Sequence, residues 1–338
     1  MRNDGTLWTW GGNSDGQLGN GTFLSNSLPV QVGTHSTWMA VAAGDCYMAA
    51  LRRDGTLWTW GRNRFGQLGN GTLATTNVPV EAQPGTQWRA VATGNSFTMA
   101  LRTDGTLWTW GRNELGMLGD GTVVSRNQPG QVGTDATWVT ISAGGGHAAA
   151  LRADGTLWTW GWNFYGQLGD GTIANKTRPL RIGTDRRWRA VAAGYSHTVA
   201  ISTDGEIWSW GSNSSGELGD GTFDDRSHPL RVGTNSTWQM VVCGGFHTLA
   251  KRTDGTLWSW GNNGGGQLGN GTFVNSSVPI QVIPNGAWEI IAGGFFHSIA
   301  IKVDGDLSTW GNNTSGQLGD GTSENRNQPT PIGPPGAW

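Results

Sequence analysis

Four histidines recur at intervals of fifty residues, His147, His197, His247 and His297. A ring of imidazoles on a repeated framework could ligate a transition metal or relay protons. The same slot holds Tyr47 and Phe97 in the two other copies, and phenylalanine supplies neither a ligand atom nor a titratable group. The slot therefore reads as a packing and hydrogen-bonding position. His35 and His228 lie in variable loops outside this pattern. Cys46 and Cys243 fall at different places in their repeats, so neither a disulfide framework nor a C-x-x-C metal site is expected. Asn13-Ser14-Asp15-Gly16 and Gly119-Asp120-Gly121-Thr122 resemble calcium loops on the surface. Such a loop needs acidic ligands at alternate positions and a distal glutamate, whereas most copies carry Asn, Ser or Gly, so these segments read as turns. There is no G-x-x-x-x-G-K-[ST] phosphate loop, and Ser, His and Asp are locked into the repeat, which leaves no isolated triad. The expectation is a chain with no catalytic residue, no metal and no cofactor.

The elements that carry these residues follow from one motif. Asp4-Gly-Thr-Leu-Trp-Thr-Trp-Gly11 recurs almost unchanged at Asp54, Asp104 and Asp154, and in looser form at Asp204, Asp254 and Asp304, with no insertion or deletion. A single unit of this length cannot bury its apolar face alone, so copies must stack. Within residues 188–232, Trp188–Gly194, His197–Ile201, Glu206–Gly211 and Pro229–Val232 are short apolar, β-branched or aromatic runs bounded by Gly, Asp or Pro. That is four strands per unit. Alternation along Leu7-Trp8-Thr9-Trp10 puts both indoles on one face of the sheet. The Asp-Gly pair is expected to close a two-residue hairpin, and helix signals are absent. Four short antiparallel strands per repeat point to propeller blades rather than to a linear β-solenoid, whose rungs are shorter and lack tight hairpins. The expected fold is all-β, a seven-bladed β-propeller of four-stranded antiparallel blades. It forms one domain over 1–338 from units 1–50, 51–100, 101–150, 151–200, 201–250, 251–300 and 301–338.

Composition agrees with such a fold: charged residues are only 14%, while 57 Gly and 21 Trp fill the turns and the packed faces. A net charge of −2 argues against a surface built for polyanions, so no nucleic-acid partner is expected. No apolar run reaches membrane-spanning length and Met1 leads directly into a repeat, which predicts a soluble chain with no signal peptide and leaves its compartment open. The seventh unit is short: Trp338 matches Trp38, and no copy of Met39–Ala50 follows it. Ser308 stands near this seam where the other six units have tryptophan. The seam blade is therefore expected to be incomplete, with exposed strand edges. Either the sequence is part of a longer protein or the ring is closed by another chain, and self-association at the seam is one form of that closure.

The order V-A-A-G-x-x-H-x-x-A-L, D-G-x-L-W-x-W-G-x-N-x-x-G-Q-L-G-x-G-T, P-x-x-V, with Gly61-Arg-Asn-Arg-Phe-Gly-Gln-Leu-Gly69 as one of seven copies, resembles the regulator of chromosome condensation repeat family over the whole chain. The resemblance implies a seven-bladed propeller. It also implies a range of functions: guanine-nucleotide exchange on Ran, ultraviolet-B sensing in plants, β-lactamase inhibition in bacteria, and adaptor roles. The plant photoreceptor senses light through tryptophans in a G-W-R-H-T motif, and the matching places here, such as Gly194-Tyr-Ser-His-Thr198, lack that tryptophan. Exchange activity in the family depends on a wedge-like insertion, and these repeats have none.

Since the scaffold is copied, individuality must reside where the copies differ. The pair after each Gly-x-Asn reads Ser14-Asp15, Arg64-Phe65, Glu114-Leu115, Phe164-Tyr165, Ser214-Ser215, Gly264-Gly265 and Thr314-Ser315, bulky only in units two to four. Trp162 is the one tryptophan outside the regular pattern, Arg62 and Arg112 occupy equivalent loops, and Tyr195 opens on the same face of a meander. Exposed Trp, Tyr, Phe and Arg in one sector are the residues of binding hot spots. Arg62, Arg64, Phe65, Arg112, Leu115, Trp162, Phe164, Tyr165 and Tyr195 are thus the expected partner-binding residues. Residues 51–200 carry 15 Lys/Arg against 9 Asp/Glu, so an acidic protein partner is expected, and the opposite arc is acidic, with Glu217, Asp224 and Asp225. Arg186, Arg187 and Arg189 are expected on the other side. The function expected is a non-enzymatic interaction module, a scaffold or adaptor. The alternatives are a nucleotide-exchange regulator of a small GTPase and a secreted enzyme inhibitor.

Overall fold

The computed structural model describes residues 1–183, 185–234, 237–283 and 286–338. Strand β1 (Trp8–Gly11) pairs with β2 (Asn26–Gln31) in a two-stranded antiparallel sheet. Then β3 (Trp38–Ala43), β4 (Tyr47–Arg52), β5 (Leu57–Gly61) and β6 (Thr76–Glu81) form a four-stranded meander. Five more meanders of the same order span 88–131, 138–182, 188–231, 238–281 and 288–331, and no helix occurs among the described residues. The molecule is an all-β propeller. Each four-stranded sheet straddles two sequence units, its first two strands coming from the end of one and its last two from the start of the next.

The Asp-Gly hairpin differs from expectation. Arg52 N–H donates to Thr56 O at 3.0 Å and Gly55 N–H to Arg52 O at 3.0 Å, which leaves Arg53, Asp54 and Gly55 as a three-residue loop. The Asp54 carboxylate accepts the Thr56 N–H (3.0 Å) and hydroxyl (2.7 Å), while Gly55 takes the left-handed conformation at φ 80° that such a loop demands. The extra residue is what brings that carboxylate into reach.

Indoles join neighbouring sheets, as the strand alternation implied. Trp88 and Trp110 of one sheet pack on Ala49, Leu51 and Leu57 of the sheet before it, and the Trp110 Nε1–H donates to Gln67 O at 2.9 Å. Gly69 must lie flat against this ring: it has φ +70°, and a Cβ there would sit 2.5 Å from Trp110 Nε1. Backbone bonds repeat at every junction, from Gly21 N–H to Asn77 O (2.9 Å) through to Gly321 N–H to Ser27 O (2.9 Å), which ties the sheet 288–331 to β2.

At the end of the blades carrying the Asp-Gly hairpins, cations lie on tryptophan faces. Arg52 stands 3.9 Å from the Trp58 centroid, Arg102 3.6 Å from Trp108, and Arg152 and Arg252 each 4.0 Å from Trp158 and Trp258. Ser202 breaks the series. Its place is taken from another loop by Arg186, 3.8 Å from Trp208 and paired with Glu206 at 3.4 Å. In the sheet that carries Ser308 instead of tryptophan, Lys302 lies over Trp288 at 5.6 Å. Replacing Arg186 with Ala should lower the unfolding free energy by about 1 kcal/mol. Ser202→Arg in that background should recover it, and urea denaturation of the two variants checks both steps.

Candidate protein-interaction face

The histidine slot forms a belt of blade-to-blade hydrogen bonds. His147 Nε2 meets Thr198 Oγ1 at 2.9 Å, His197 meets Thr248 at 3.1 Å, and His247 meets Ser298 at 2.9 Å. The Thr198 hydroxyl gives its proton to Gln167 O (2.8 Å), so His147 must donate through Nε2–H, with Nδ1 bare. Burial pulls all three imidazoles down from 6.5 to about 3, so they are neutral at physiological pH. The partners covary within the chain: Phe97, which cannot donate, faces a sheet in which the hydroxyl position is Ala148.

Apparent calcium loops are internally satisfied. Asp120 accepts the N–H and hydroxyl of Thr122, each at 2.8 Å, and is paired with Arg126. Asp220 and Asp320 pair likewise with Arg226 (3.1 Å) and Arg326 (2.8 Å), and Asp170 with Lys176 (3.1 Å). Where this aspartate is Asn20, Asn70 or Asn270, the cation position is Asn26, Thr76 or Ser276.

The loop after each third strand is pinned from below. Asn63, fully buried, accepts the Leu68 N–H (3.0 Å) and donates to Thr72 O and Ala74 O, each at 3.1 Å. Gln67 Oε1 accepts the Phe65 N–H at 3.0 Å. These bonds push the two intervening side chains outward, and Asn163 and Gln167 do the same for Phe164 and Tyr165. Trp162 N–H bonds to Gly146 O (2.8 Å), which sets this loop beside the turn between the first two strands.

At this end of the propeller the aromatics form one connected surface. Ring centroids lie 5.0 Å apart for Phe164–Tyr165, 5.5 Å for Trp162–Tyr165 and 6.3 Å for Trp162–Tyr195. The surface then continues through residues absent from the sequence expectation: Tyr195–Phe246 at 5.5 Å, Tyr195–Phe295 at 5.4 Å and Phe295–Phe296 at 4.7 Å. Phe164, Phe295 and Phe296 are exposed, and the other members are half-buried. Tyr195 and Phe295 also border a glycine-lined recess of about 250 Å³ at the ring centre. That is below the usual range for small-molecule sites.

The remaining expected residues behave differently. Phe65 lies under Arg112 at 5.3 Å, and Leu115 is half-buried against the inter-sheet core. Arg62 is paired with Asp15 (2.9 Å) and Asp45 (3.2 Å), and Arg112 with Glu114 (2.6 Å). Arg64 is exposed and has no ion pair among the described residues. Glu217 does not belong to the acidic surface arc. It is buried in the glutamine slot, accepting the Ser215 N–H (2.7 Å) and the Ser212 hydroxyl (3.1 Å), with its pKa raised by desolvation. Arg186 and Arg189 do sit at the opposite end, Arg189 bonded to Trp238 O. Cys46 and Cys243 are free.

A ring of repeated four-stranded antiparallel sheets defines the class: a repeat-built β-propeller. The chain belongs to the RCC1-like domain family, whose model matches residues 1–271, and models of the regulator of chromosome condensation (RCC1) repeat match 254–301 and 304–337. Similar solved structures include human WBSCR16 (TM-score 0.88, 21% identity, 97% of this chain and 94% of that one). Yeast RCC1 (Prp20) bound to Kap60 is also similar (0.86, 21%, 97% and 83%). So is Prp20p from Saccharomyces cerevisiae, described with its binding to Gsp1p and histones (0.86, 22%, 97% and 85%). Comparison with curated proteins gave no match. No helix among the described residues is long and apolar enough to cross a membrane.

Proposed function

We propose that this chain is a non-enzymatic protein-interaction module, a seven-bladed ring with an incomplete seam blade, which presents the face around Trp162, Phe164, Tyr165 and Tyr195 to a protein partner. The observation that carries this reading is the unbroken chain of ring contacts from Phe164 to Phe296, located on loops where the copies differ. Aromatic clusters half-sunk in a rigid support bind with little loss of conformational freedom. The yeast relative's described association with Kap60, Gsp1p and histones supports partner binding by propellers of this kind. Phe65, Leu115, Arg62, Arg64 and Arg112 form the flank of the site, where Arg64 meets an acidic group on the partner.

Alanine at both Trp162 and Tyr165 should weaken binding to a partner captured by the native chain by at least about 2 kcal/mol, roughly thirtyfold in Kd. Isothermal titration of the purified pair measures it. An unchanged affinity removes this face as the site.

A further inference from the structure

Of the 21 tryptophans, all but Trp162 either donate the indole N–H to a scaffold oxygen, as Trp158 does to Thr156 Oγ1, or bury it, as Trp138 does. Trp162 is half-buried, and among the described residues its N–H is neither bonded nor buried. The three tyrosines divide in the same way. Tyr47 is fully buried and donates its hydroxyl to Phe97 O, whereas the Tyr165 and Tyr195 hydroxyls are neither bonded nor buried. The unspent aromatic donors of the chain thus share one ridge. Trp162 lies 5.5 Å from Tyr165 and 6.3 Å from Tyr195, centroid to centroid, at interplanar angles of 81° and 80°. Phe164 extends the ridge, 5.0 Å from Tyr165 at 84°. Successive perpendicular rings leave notches in which the face of one ring meets the edge of the next.

The ridge is seated on glycine and carries no charge. A Cβ at Gly145 would meet Tyr195 Cδ2 at 2.6 Å, and one at Gly146 would meet Trp162 Cβ at 3.1 Å, so this turn has to be bare for both rings to lie against it. Tyr195 is held from both sides, its N–H donating to Gly245 O at 3.0 Å and its carbonyl accepting the Gly145 N–H at 3.1 Å. Two units earlier the places of Trp162, Leu115 and Gly145 are taken by Arg62, Asp15 and Asp45, which form an ion-paired triad. At the ridge the same three places hold an indole, an aliphatic side chain and no side chain at all. The sheets 138–182 and 188–231 that support it are each flanked by a complete four-stranded sheet on both sides.

Three open donors without a charge call for a ligand that is apolar, uncharged and rich in acceptors. A proline-rich strand in the polyproline II conformation has that character. Its pyrrolidine rings pack on aromatic faces, proline brings no N–H, and its carbonyls point outward with no internal hydrogen bond. A saccharide brings donors along with its acceptors and an acidic segment brings charge, and a ridge of neutral donors matches neither. We propose that the ridge is a docking site for a proline-rich segment of the partner protein, with prolines in the notches beside Trp162 and carbonyl oxygens accepting from Trp162 Nε1 and from the Tyr165 and Tyr195 hydroxyls. This assignment rests on the face binding a protein partner, and it names what that partner presents.

A capped synthetic peptide of repeated Pro-Pro-Leu triplets tests this by titration into the intact chain, followed by calorimetry and tryptophan-indole NMR. The peptide should saturate a single site and shift the Trp162 indole signal. The same peptide with every proline replaced by glycine should bind at least about tenfold more weakly, having lost both the preorganised strand and the pyrrolidine contacts. Trp162→Phe, Tyr165→Phe and Tyr195→Phe keep a ring in place and remove one donor each, and each should weaken the proline peptide about fivefold. The proposal is overturned if the proline peptide leaves the Trp162 signal unmoved at saturation, if the glycine peptide binds as tightly, if the three phenylalanine variants bind as the parent does, or if a glutamate-rich peptide binds more tightly than the proline one. Should the proline peptide fail while the Trp162, Tyr165 double alanine variant loses the captured partner, the face stands and its ligand is wrongly assigned; should that variant keep the partner, the face itself falls.

Discussion

Between pH 7 and pH 5 the protein should lose on the order of 5 kcal/mol of stability, mostly through three buried histidines. His147, His197 and His247 are 0–1% exposed, and burial lowers each from 6.5 to about 3. The folded state therefore binds fewer protons than the unfolded chain below pH 6.5, and stability rises with pH. The contribution is fully present above about pH 6.5 and is lost progressively toward pH 3, at about 2 kcal/mol per histidine by pH 5. A double replacement, His147→Phe with Thr198→Ala, copies the Phe97–Ala148 junction the chain already contains and should remove about a third of the slope. Urea midpoints from pH 7.5 to 4.5 measure both chains. A flat profile in the parent, or an unaltered slope in the double variant, would refute the account.

That junction also shows where the sequence was informative. A residue slot filled by His, Tyr and Phe signals packing, and the fixed period with four apolar runs per unit signals stacked sheets, because both depend on local pattern. Contacts between units were harder to read. Arg186 replaces the cation missing at Ser202 from sixteen residues upstream, and nothing in the local pattern links the two. Glu217 reads as surface charge by type, yet its repeat position is the buried glutamine slot. Phe246, Phe295 and Phe296 occupy variable turns equivalent to that of Tyr195 and are legible on the same ground. Their proximity to Tyr195 depends on the ring bringing the turns of sheets 188–231, 238–281 and 288–331 to one central rim.

Loss of a single inter-sheet indole should be nearly as damaging as acid. Trp110 is fully buried, touches the preceding sheet through Leu51 and Leu57, and donates its only hydrogen bond to Gln67 O. Trp110→Ala removes that apolar area and leaves a cavity that rigid strands on both sides cannot close, at a cost of about 3–5 kcal/mol. Gly69→Ala attacks the same contact from the other side, driving a methyl to within 2.5 Å of Trp110 Nε1 from a backbone at φ +70°. Its cost should exceed that of a left-handed alanine on an open loop, about 1 kcal/mol, by the energy needed to displace the ring. Because one clash requires both groups, the two changes should be strongly non-additive: once the indole is gone, Gly69→Ala should cost only its backbone strain. A double-mutant cycle by urea denaturation measures the coupling. Additive costs would mean that Gly69 is set by its turn alone and that the indole contact does not determine how adjacent sheets seat.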